Sequence, residues 1–231
     1  MAKRVVVACE FSGTVREAFR KRGFHAVSVD LLPAADGMNG WHFQTDILKF
    51  LATSAPFDLM IAHPPCTYLC NSGVCWLHPA TGHRTKKNYT DAKCLFRWIN
   101  LQQSVIFFNA LKDANIPHIA IENPIPHKFA TGSWATRGVG QQCRGIGKYD
   151  QIIQPWQFGH PETKATCLWL KNLPKLQPTR VVSLPEDRTQ RMRLHYLPPS
   201  KDRWKIRSVT YQGIADAMAQ QWGDYINEGS N

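Results

Sequence analysis

Short, mostly apolar runs divide the chain, and each of them stops at a polar or proline-containing turn. The clearest runs are residues 5–8, 59–62 and 116–121. Apolar runs of roughly four to eight residues bounded by turn residues are typical of strands that are buried on both faces. The stretches between them carry apolar residues at helical spacing. This alternation of buried strands and amphipathic helices predicts an α/β protein with a mostly parallel sheet.

The first thirty residues predict a strand, a turn, a helix and a second strand. The helix covers residues 14–22 and is expected to turn Arg16 toward solvent. Gly23 closes it, and a strand over residues 24–29 ends at Asp30. An acid at the tip of the second strand, about twenty positions after the turn, is the arrangement that holds the ribose of nucleotide-like cofactors. Because the turn has a single glycine, a plain strand–helix–strand unit fits as well.

Reactive side chains follow two central strands at the point where each strand ends. Pro64-Pro65 stops the strand over residues 59–62, because proline cannot donate to a sheet ladder, and Cys66 comes next. Glu122-Asn123-Pro124 follows the strand over residues 116–121 in the same way. The carboxyl ends of parallel strands share one edge of a sheet, so we expect these side chains to meet there. Burial as a small apolar side chain is the alternative for Cys66.

The second half of the chain predicts a long helix, a hairpin and a closing helix. Residues 91–114 form the long helix, whose buried face is expected to include Leu95 and Ile99. Residues 151–154 and 166–170 predict the two strands of the hairpin. The closing helix is predicted over residues 209–222, and residues 171–207 are rich in proline and arginine with little periodicity. At 231 residues, a single domain over residues 1–231 is expected.

Composition narrows the class of protein. Hydrophobic content of 43% and charged content of 19% are ordinary for a globular chain. No apolar run approaches the roughly 18 residues that span a membrane. Seven cysteines without framework spacing favour reduced thiols, and the N-terminal apolar stretch is too short for a signal peptide, so a cytoplasmic location is expected. The net charge of +11 favours a polyanionic partner, nucleic acid first, over a basic surface without a partner.

Positive charge is concentrated in two segments. Residues 71–90 follow Cys66 and are predicted to be a mobile catalytic loop that closes over a phosphodiester backbone; a solvated basic loop is the alternative. Residues 180–207 carry eight basic side chains against three acidic ones. The side chains predicted to bind nucleic acid are Arg84, Lys86, Lys87, Arg191, Arg193 and Arg203.

A cysteine and a glutamate at adjacent strand tips suit chemistry at carbon 5 of cytosine. That carbon is a poor nucleophile until another nucleophile adds at carbon 6, and a thiolate suits this addition because it is also a competent leaving group. A carboxyl group near ring nitrogen N3 stabilises the adduct by sharing or donating a proton. A cytosine in a duplex must first be rotated out of the stack.

The chain resembles the cytosine C5-methyltransferases, above all the short forms found in bacteriophages and prophages. Its motifs cover the whole chain in the order of that family. They are Phe11-Ser12-Gly13 of the cofactor loop, the ribose acid Asp30, the adenine-contacting Thr45-Asp46-Ile47, the catalytic Pro65-Cys66, Glu122-Asn123, the segment Gly159-His160-Pro161-Glu162-Thr163-Lys164-Ala165-Thr166, and Arg207-Ser208-Val209.

The resemblance implies a Rossmann-like S-adenosylmethionine-dependent methyltransferase fold. Its mostly parallel seven-stranded sheet would have an antiparallel final hairpin and helices on both faces. S-adenosylmethionine would be the cofactor and DNA the substrate, methylated at cytosine C5 through a covalent adduct between Cys66 and C6. The implied catalytic residues are Cys66, Glu122, Asn123, Pro65 and Lys164. The implied cofactor-binding residues are Phe11, Ser12, Gly13, Asp30, Leu31, Asp46, Ile47, Ser208 and Val209.

The sequence departs from the family pattern in the cofactor loop, which lacks the second glycine-rich half and has Cys9 where an acid is usual, and in three further places. Thr166 stands where an arginine would hold the O2 atom of the base, and Cys70 stands where a serine is usual. Residues 171–206 are too few to form the family's target-recognition domain, so sequence readout is expected to be short, loop-borne or absent. Asp46 also has a plainer interpretation, as the N-cap of a short helix.

Three alternatives remain open. The first is a metal site, formed by cysteine and histidine side chains that are close in sequence: Cys66, Cys70, Cys75, His63, His78 and His83. These residues lack the Cys-x2-Cys spacing of structural zinc sites, so we predict no metal. The substrate is a free deoxycytidine nucleotide or RNA in the second alternative, which the missing recognition domain favours. The third is a catalytically silent relative that binds nucleic acid with its basic face. Binding alone would need neither Cys66 nor Glu122.

Overall fold

A seven-stranded sheet forms the centre of the protein. The computed structural model describes residues 2–78, 90–132, 134–135 and 142–229. The strands of the sheet are β1 (Arg4–Ala8), β2 (His25–Asp30), β3 (His42–Gln44), β4 (Leu59–Ala62), β5 (His118–Pro124), β8 (Gln151–Ile153) and β9 (Thr166–Lys171). Strands β6 (Trp134–Ala135) and β7 (Gln142–Cys143) pair separately.

The strand order is β3-β2-β1-β4-β5-β9-β8. All pairs among β1 to β5 are parallel, whereas β9 is antiparallel to both of its neighbours. This confirms the predicted mostly parallel α/β sheet with an antiparallel final hairpin. The order reverses direction between β1 and β4, and open α/β sheets bind ligands beside such a reversal, at the carboxyl ends of the strands.

Helices cover both faces of the sheet, as predicted. They are α1 (Thr14–Lys21), α2 (Ile47–Thr53), α3 (Asp91–Lys112), α4 (Lys128–Thr131), α5 (Arg188–Arg191), α6 (Arg193–Tyr196), α7 (Arg203–Ser208) and α8 (Gln212–Glu228). One apolar cluster joins α2 and α3 to the sheet, and a second joins α1 and α8 to the opposite face. The central strands are buried on both sides, which explains why β4 reads as a continuous apolar run.

Some predicted details are wrong. Arg16 is fully buried rather than exposed, because its guanidinium donates to Ser28 at 2.8 Å and forms an ion pair with Asp36. Leu95 and Ile99 are 48% and 42% exposed. The first turns of α3 instead pack against the 3-10 helix Asn71–Leu77, where the Cys94 thiol and the Trp98 indole both donate to the carbonyl of Leu77.

The C-terminal part of the chain also differs from its prediction. The closing helix α8 begins three residues later than expected and runs to Glu228. Helices α5, α6 and α7 lie in the segment expected to be irregular. Arg84, Lys86 and Lys87, with most of the predicted catalytic loop, lie outside the described residues. Within the described ranges, every helix is too short or too polar to cross a lipid bilayer.

Candidate active site

A cavity of about 300 Å³ opens at the carboxyl ends of β1, β2, β4 and β5, beside the reversal in strand order. Its size is at the lower end of the range for small-molecule sites, roughly 300–1,000 Å³. Side chains predicted to be catalytic and side chains predicted to bind a cofactor both line it. They are Phe11, Ser12, Asp30, Pro65, Cys66, Glu122, Lys164 and Ser208, joined by the unpredicted Glu10, His63, Trp204 and Arg207.

Cys66 begins a single helical turn. Its carbonyl accepts the backbone N–H groups of Leu69 and Cys70 at 3.0 and 3.1 Å, so the turn brings Cys70 back over Cys66. A hydrogen bond between the two thiols, reinforced by burial and by the charge of Glu122, raises the pKa of Cys66. The same bond, together with contacts from Ser72, lowers the pKa of Cys70 to about 5. The two thiols therefore share a proton, and Cys66 is the thiol that is harder to deprotonate.

Glu122 sits near the end of β5, with its carboxylate facing the tip of β4. Its Oε2 atom is 2.9 Å from Nδ1 of His63. Burial acts to raise the pKa of Glu122, but the hydrogen bond from His63 and the positive charge of Lys164 outweigh it, so the pKa is lowered. Glu122 is therefore an ionised hydrogen-bond acceptor at neutral pH. The next residue, Asn123, is fully buried and donates to the Pro64 carbonyl at 3.4 Å, which ties the two strand tips together.

Lys164 supplies positive charge to this half of the cavity. Its Nζ donates to the carbonyl of Arg207 at 2.9 Å, which links the segment before β9 to the end of α7. Its charge helps to lower the pKa of Glu122 and opposes the rise in the pKa of Cys66. Thr166 is buried, and its hydroxyl donates to the carbonyl of Lys164 at 3.2 Å. It supports the backbone beneath Lys164.

The loop after β1 is held in an unusual conformation. Cys9 has φ = 58°, in the left-handed region that costs a non-glycine residue energy and recurs at functional sites. Gly13 has φ = 74°, and a side chain there would collide with Asp36 and Arg16. Glu10 is buried and accepts the N–H groups of Val15 at 2.6 Å and Arg16 at 3.2 Å, so it fixes the start of α1 at the wall of the cavity.

The residues predicted to bind the cofactor divide into two groups. Phe11, Ser12, Asp30 and Ser208 line the cavity. Asp30 is partly buried, burial raises its pKa, and its Oδ1 accepts the Leu32 N–H at 2.9 Å. The predicted residues absent from the lining of this cavity, as the described part of the chain forms it, are Gly13, Leu31, Asp46, Ile47 and Val209.

The local surroundings of three of these residues explain their positions. The Asp46 side chain caps α2, where it accepts the N–H groups of Leu48 and Lys49 at 2.9 and 3.1 Å. Ile47 is buried in the core, and Leu31 is 70% exposed.

Sequence reasoning did not assign His63, Glu10 or Trp204 to the site. His63 directly follows the apolar run of β4, so its position at a strand tip was a usable signal. Trp204 is 52% exposed, lines the cavity from α7, and has its ring centroid 6.2 Å from that of Phe11. It lies 38 residues after the start of β9 and at least 80 residues from the other strand tips of the site, so only the fold reveals this contact.

The described basic side chains predicted to bind nucleic acid all have contacts within the C-terminal part of the chain. Arg191 donates to the Glu186 carbonyl at 3.1 Å, and Arg203 donates to the His195 carbonyl at 2.9 Å. Arg193 forms an ion pair with Glu162 at 3.0 Å, and its side chain remains 53% exposed. Among the described residues, no three histidine, cysteine or acidic side chains are grouped to hold a metal ion; His83 lies outside them.

Comparisons with known proteins give only distant likenesses. No protein-family model matches the sequence, and no curated protein matches it. A solved structure of a candidate DNA modification methyltransferase, encoded within an E. coli prophage, is 15% identical with a TM-score of 0.44; the match covers 80% of this chain and 56% of that one. The Dnmt2 methyltransferase of S. pombe is 16% identical with a TM-score of 0.38, covering 76% and 51%.

A mutant DNMT2 from Spodoptera frugiperda is 12% identical with a TM-score of 0.36, covering 80% of this chain and 56% of that one. The chain thus spans about half the length of these structures. Because the likenesses are distant and partial, the functional proposal rests on the cavity and the residues that line it.

Proposed function

We propose that the protein is an S-adenosylmethionine-dependent methyltransferase that methylates cytosine C5 in DNA through a covalent adduct between Cys66 and C6. The observation that carries this proposal is the convergence, on one cavity, of a protonated cysteine, an ionised glutamate and a ribose-type acid. Strand tips far apart in sequence supply these groups, and a cavity that only buried a free cysteine would need neither acid.

The residues present fit the proposed cofactor. Asp30 uses Oδ1 to accept the Leu32 N–H, and its carboxylate has further lone pairs for ribose hydroxyls. The rings of Phe11 and Trp204 give the cavity an apolar, aromatic wall for an adenine. Ser12 and Ser208 add hydroxyl groups. When bound there, S-adenosylmethionine would supply an electrophilic methyl group.

The proton balance of the site suits adduct formation. The thiol proton of Cys66 passes to the Cys70 thiolate as Cys66 Sγ bonds to C6, and the C5–C6 double bond opens. Cys70 passes this proton on to N3, where it neutralises the charge that develops on the ring and donates a hydrogen bond to the ionised Glu122 carboxylate. After methyl transfer, the C5 proton leaves to solvent, the C5–C6 double bond forms again as the Sγ–C6 bond breaks, and the N3 proton returns to the pair of thiols.

Charge supports a polymeric substrate. The formal net charge of +11 and the basic segment over residues 180–207 favour a polyanion over a single nucleotide. Lys164, whose charge acts on both Cys66 and Glu122, would contact the base or its phosphate.

The test offers a labelled methyl donor with, separately, duplex DNA, single-stranded DNA, RNA and dCMP. We expect label in DNA and none with the matched Cys66→Ala protein. Transfer to dCMP alone would show that the substrate is a free nucleotide. Transfer to RNA alone would show that the substrate is RNA. Tight DNA binding without methyl transfer to any of the four substrates would indicate a catalytically silent protein that binds nucleic acid.

A further inference from the structure

His63 lies between β4 and Pro64-Pro65, and it has no role in the proposed methyl-transfer mechanism. Its side chain is only 9% exposed, and it forms part of the cavity wall. Nδ1 is 2.9 Å from Oε2 of Glu122. On the other side of the ring, Nε2 is buried without a hydrogen-bond partner among the described residues. An unsatisfied buried nitrogen costs stability, so a purely structural role does not account for this histidine well.

The hydrogen bond between His63 and Glu122 has a fixed direction. An ionised carboxylate can only accept, so Nδ1 carries the hydrogen and donates it to Oε2. A hydrogen bond to an ionised partner is shorter and stronger than a neutral one. This bond therefore restrains both the orientation and the charge of Glu122.

Charged groups face this pair from every element around it. Glu10 on the loop after β1 and Asp30 at the end of β2 interact with the imidazole, although burial dominates and raises the pKa of both carboxyl groups. Lys164 and the Cys66 thiol line the same cavity and interact with Glu122. Glu10 is held in place by the N–H groups of Val15 and Arg16 at the start of α1.

We propose that His63 is a positioning residue, whose Nδ1–H holds the Glu122 carboxylate in place as the hydrogen-bond acceptor for N3 of the substrate base. This inference rests on the proposed function, because it assigns a partner to a residue of that same site. It also explains why a histidine occupies the position directly after a buried strand.

The inference predicts a pH dependence with a definite sign. In the proposed adduct the N3 proton comes from Cys66 and is donated to the Glu122 carboxylate, so a proton on Glu122 would remove this acceptor and oppose adduct formation. Adduct formation should therefore decline at acid pH, along the acid limb of its pH profile. His63 lowers the pKa of Glu122 and thus moves this acid limb to lower pH. Removal of the imidazole leaves Glu122 buried without its donor. The acid limb then moves to higher pH.

The first experiment measures the charge of Glu122 directly and needs no substrate. Protein labelled with 13C at the glutamate side-chain carboxyl is titrated by NMR, and Glu122→Gln identifies the resonance. We expect a Glu122 midpoint below the ordinary glutamate value in the wild type and about one pH unit or more higher in His63→Leu, a tenfold change in the ionisation equilibrium. His63→Asn retains an N–H donor near the position of Nδ1, so its midpoint should lie closer to the wild type.

The second experiment follows adduct formation without a methyl donor, as exchange of the cytosine C5 hydrogen with solvent. We expect the acid limb of the exchange rate to shift among the variants in the same order, and by the same number of pH units, as the NMR midpoints of Glu122. A uniform loss at every pH, or equal midpoints for His63→Asn and His63→Leu, would overturn the positioning role. If wild-type protein exchanges no cytosine but the NMR midpoints shift as expected, the proposed function fails and the contact between His63 and Glu122 stands.

Discussion

Cys66 and Glu122 reach the cavity in opposite protonation states, and their nearest neighbours set those states. Cys66 keeps its proton because Cys70 bonds to it as the thiolate, and because burial and Glu122 disfavour a second negative charge. Glu122 loses its proton because His63 and Lys164 overcome its burial. Individual neighbouring side chains thus leave one mobile proton between Cys66, the proposed nucleophile, and Glu122, the proposed acceptor.

Replacement of Cys70 by serine should make Cys66 less reactive at neutral pH. The pair releases its first proton with a pKa of about 5, whereas a lone Cys66 beside Glu122 would be raised above the thiol value of 9.0 by burial and by the carboxylate. The rate of alkylation at Cys66 and Cys70, followed by mass spectrometry from pH 4 to pH 10, should therefore rise near pH 5 in the wild type and only above about pH 9 in Cys70→Ser. Superimposed profiles would show that the two thiols do not share a proton.

At the scale of elements, packing of α1 and α8 on one face of the sheet holds the strand tips in register. Trp222 of α8 is fully buried, and its indole N–H donates to the Pro174 carbonyl at 3.0 Å. This contact joins α8 to the segment that leads from β9. Glu10, which caps α1, and Lys164, which precedes β9, therefore depend on the same packed layer for their positions.

Substitution of Trp222 by alanine should cost roughly 3–5 kcal/mol of unfolding free energy, because it removes a large buried ring and leaves a cavity. Urea denaturation followed by circular dichroism measures this loss. Tyr225→Ala, on the same helix and 43% exposed, is the matched control and should cost less than about 1 kcal/mol. Equal losses for the two variants would mean that α8 is not anchored through Trp222.

The sequence predicted elements best where a single strand or helix determines the pattern. The strands β1, β4 and β5 follow from apolar runs that are buried on both faces, and the positions of Cys66 and Glu122 follow from where those runs stop. The burial of Arg16 could not be predicted, because its partners Ser28 and Asp36 lie on a strand and a loop that only the fold brings near. The contact between His63 and Glu122 depends likewise on the pairing of β4 with β5.

At the scale of the whole molecule, a formal net charge of +11 provides a long-range attraction for polyanions. The basic segment over residues 180–207 contributes Trp204 and Arg207 to the cavity, and Ser208 follows it directly. Part of the positive charge predicted to bind nucleic acid therefore lies in a segment that borders the cavity.

DNA affinity should fall steeply with salt, because each phosphate contact releases counterions. Arg193→Gln should reduce the slope of log K against log salt concentration by about one, as measured by anisotropy of a labelled duplex. The control is Arg22→Gln, which follows α1 at the opposite end of the strands and pairs with Asp224. A change of the same size in the control would point to overall charge rather than to a contact at Arg193.

The most direct test of the covalent mechanism is the identity of the methylated product. Duplex DNA is incubated with S-adenosylmethionine and either the wild-type protein or Cys66→Ala, then digested to nucleosides and analysed by mass spectrometry. The proposed mechanism predicts 5-methyldeoxycytidine from the wild type and none from Cys66→Ala. The same product in equal amount from Cys66→Ala, or a methyl group on the exocyclic nitrogen of cytosine, would contradict it.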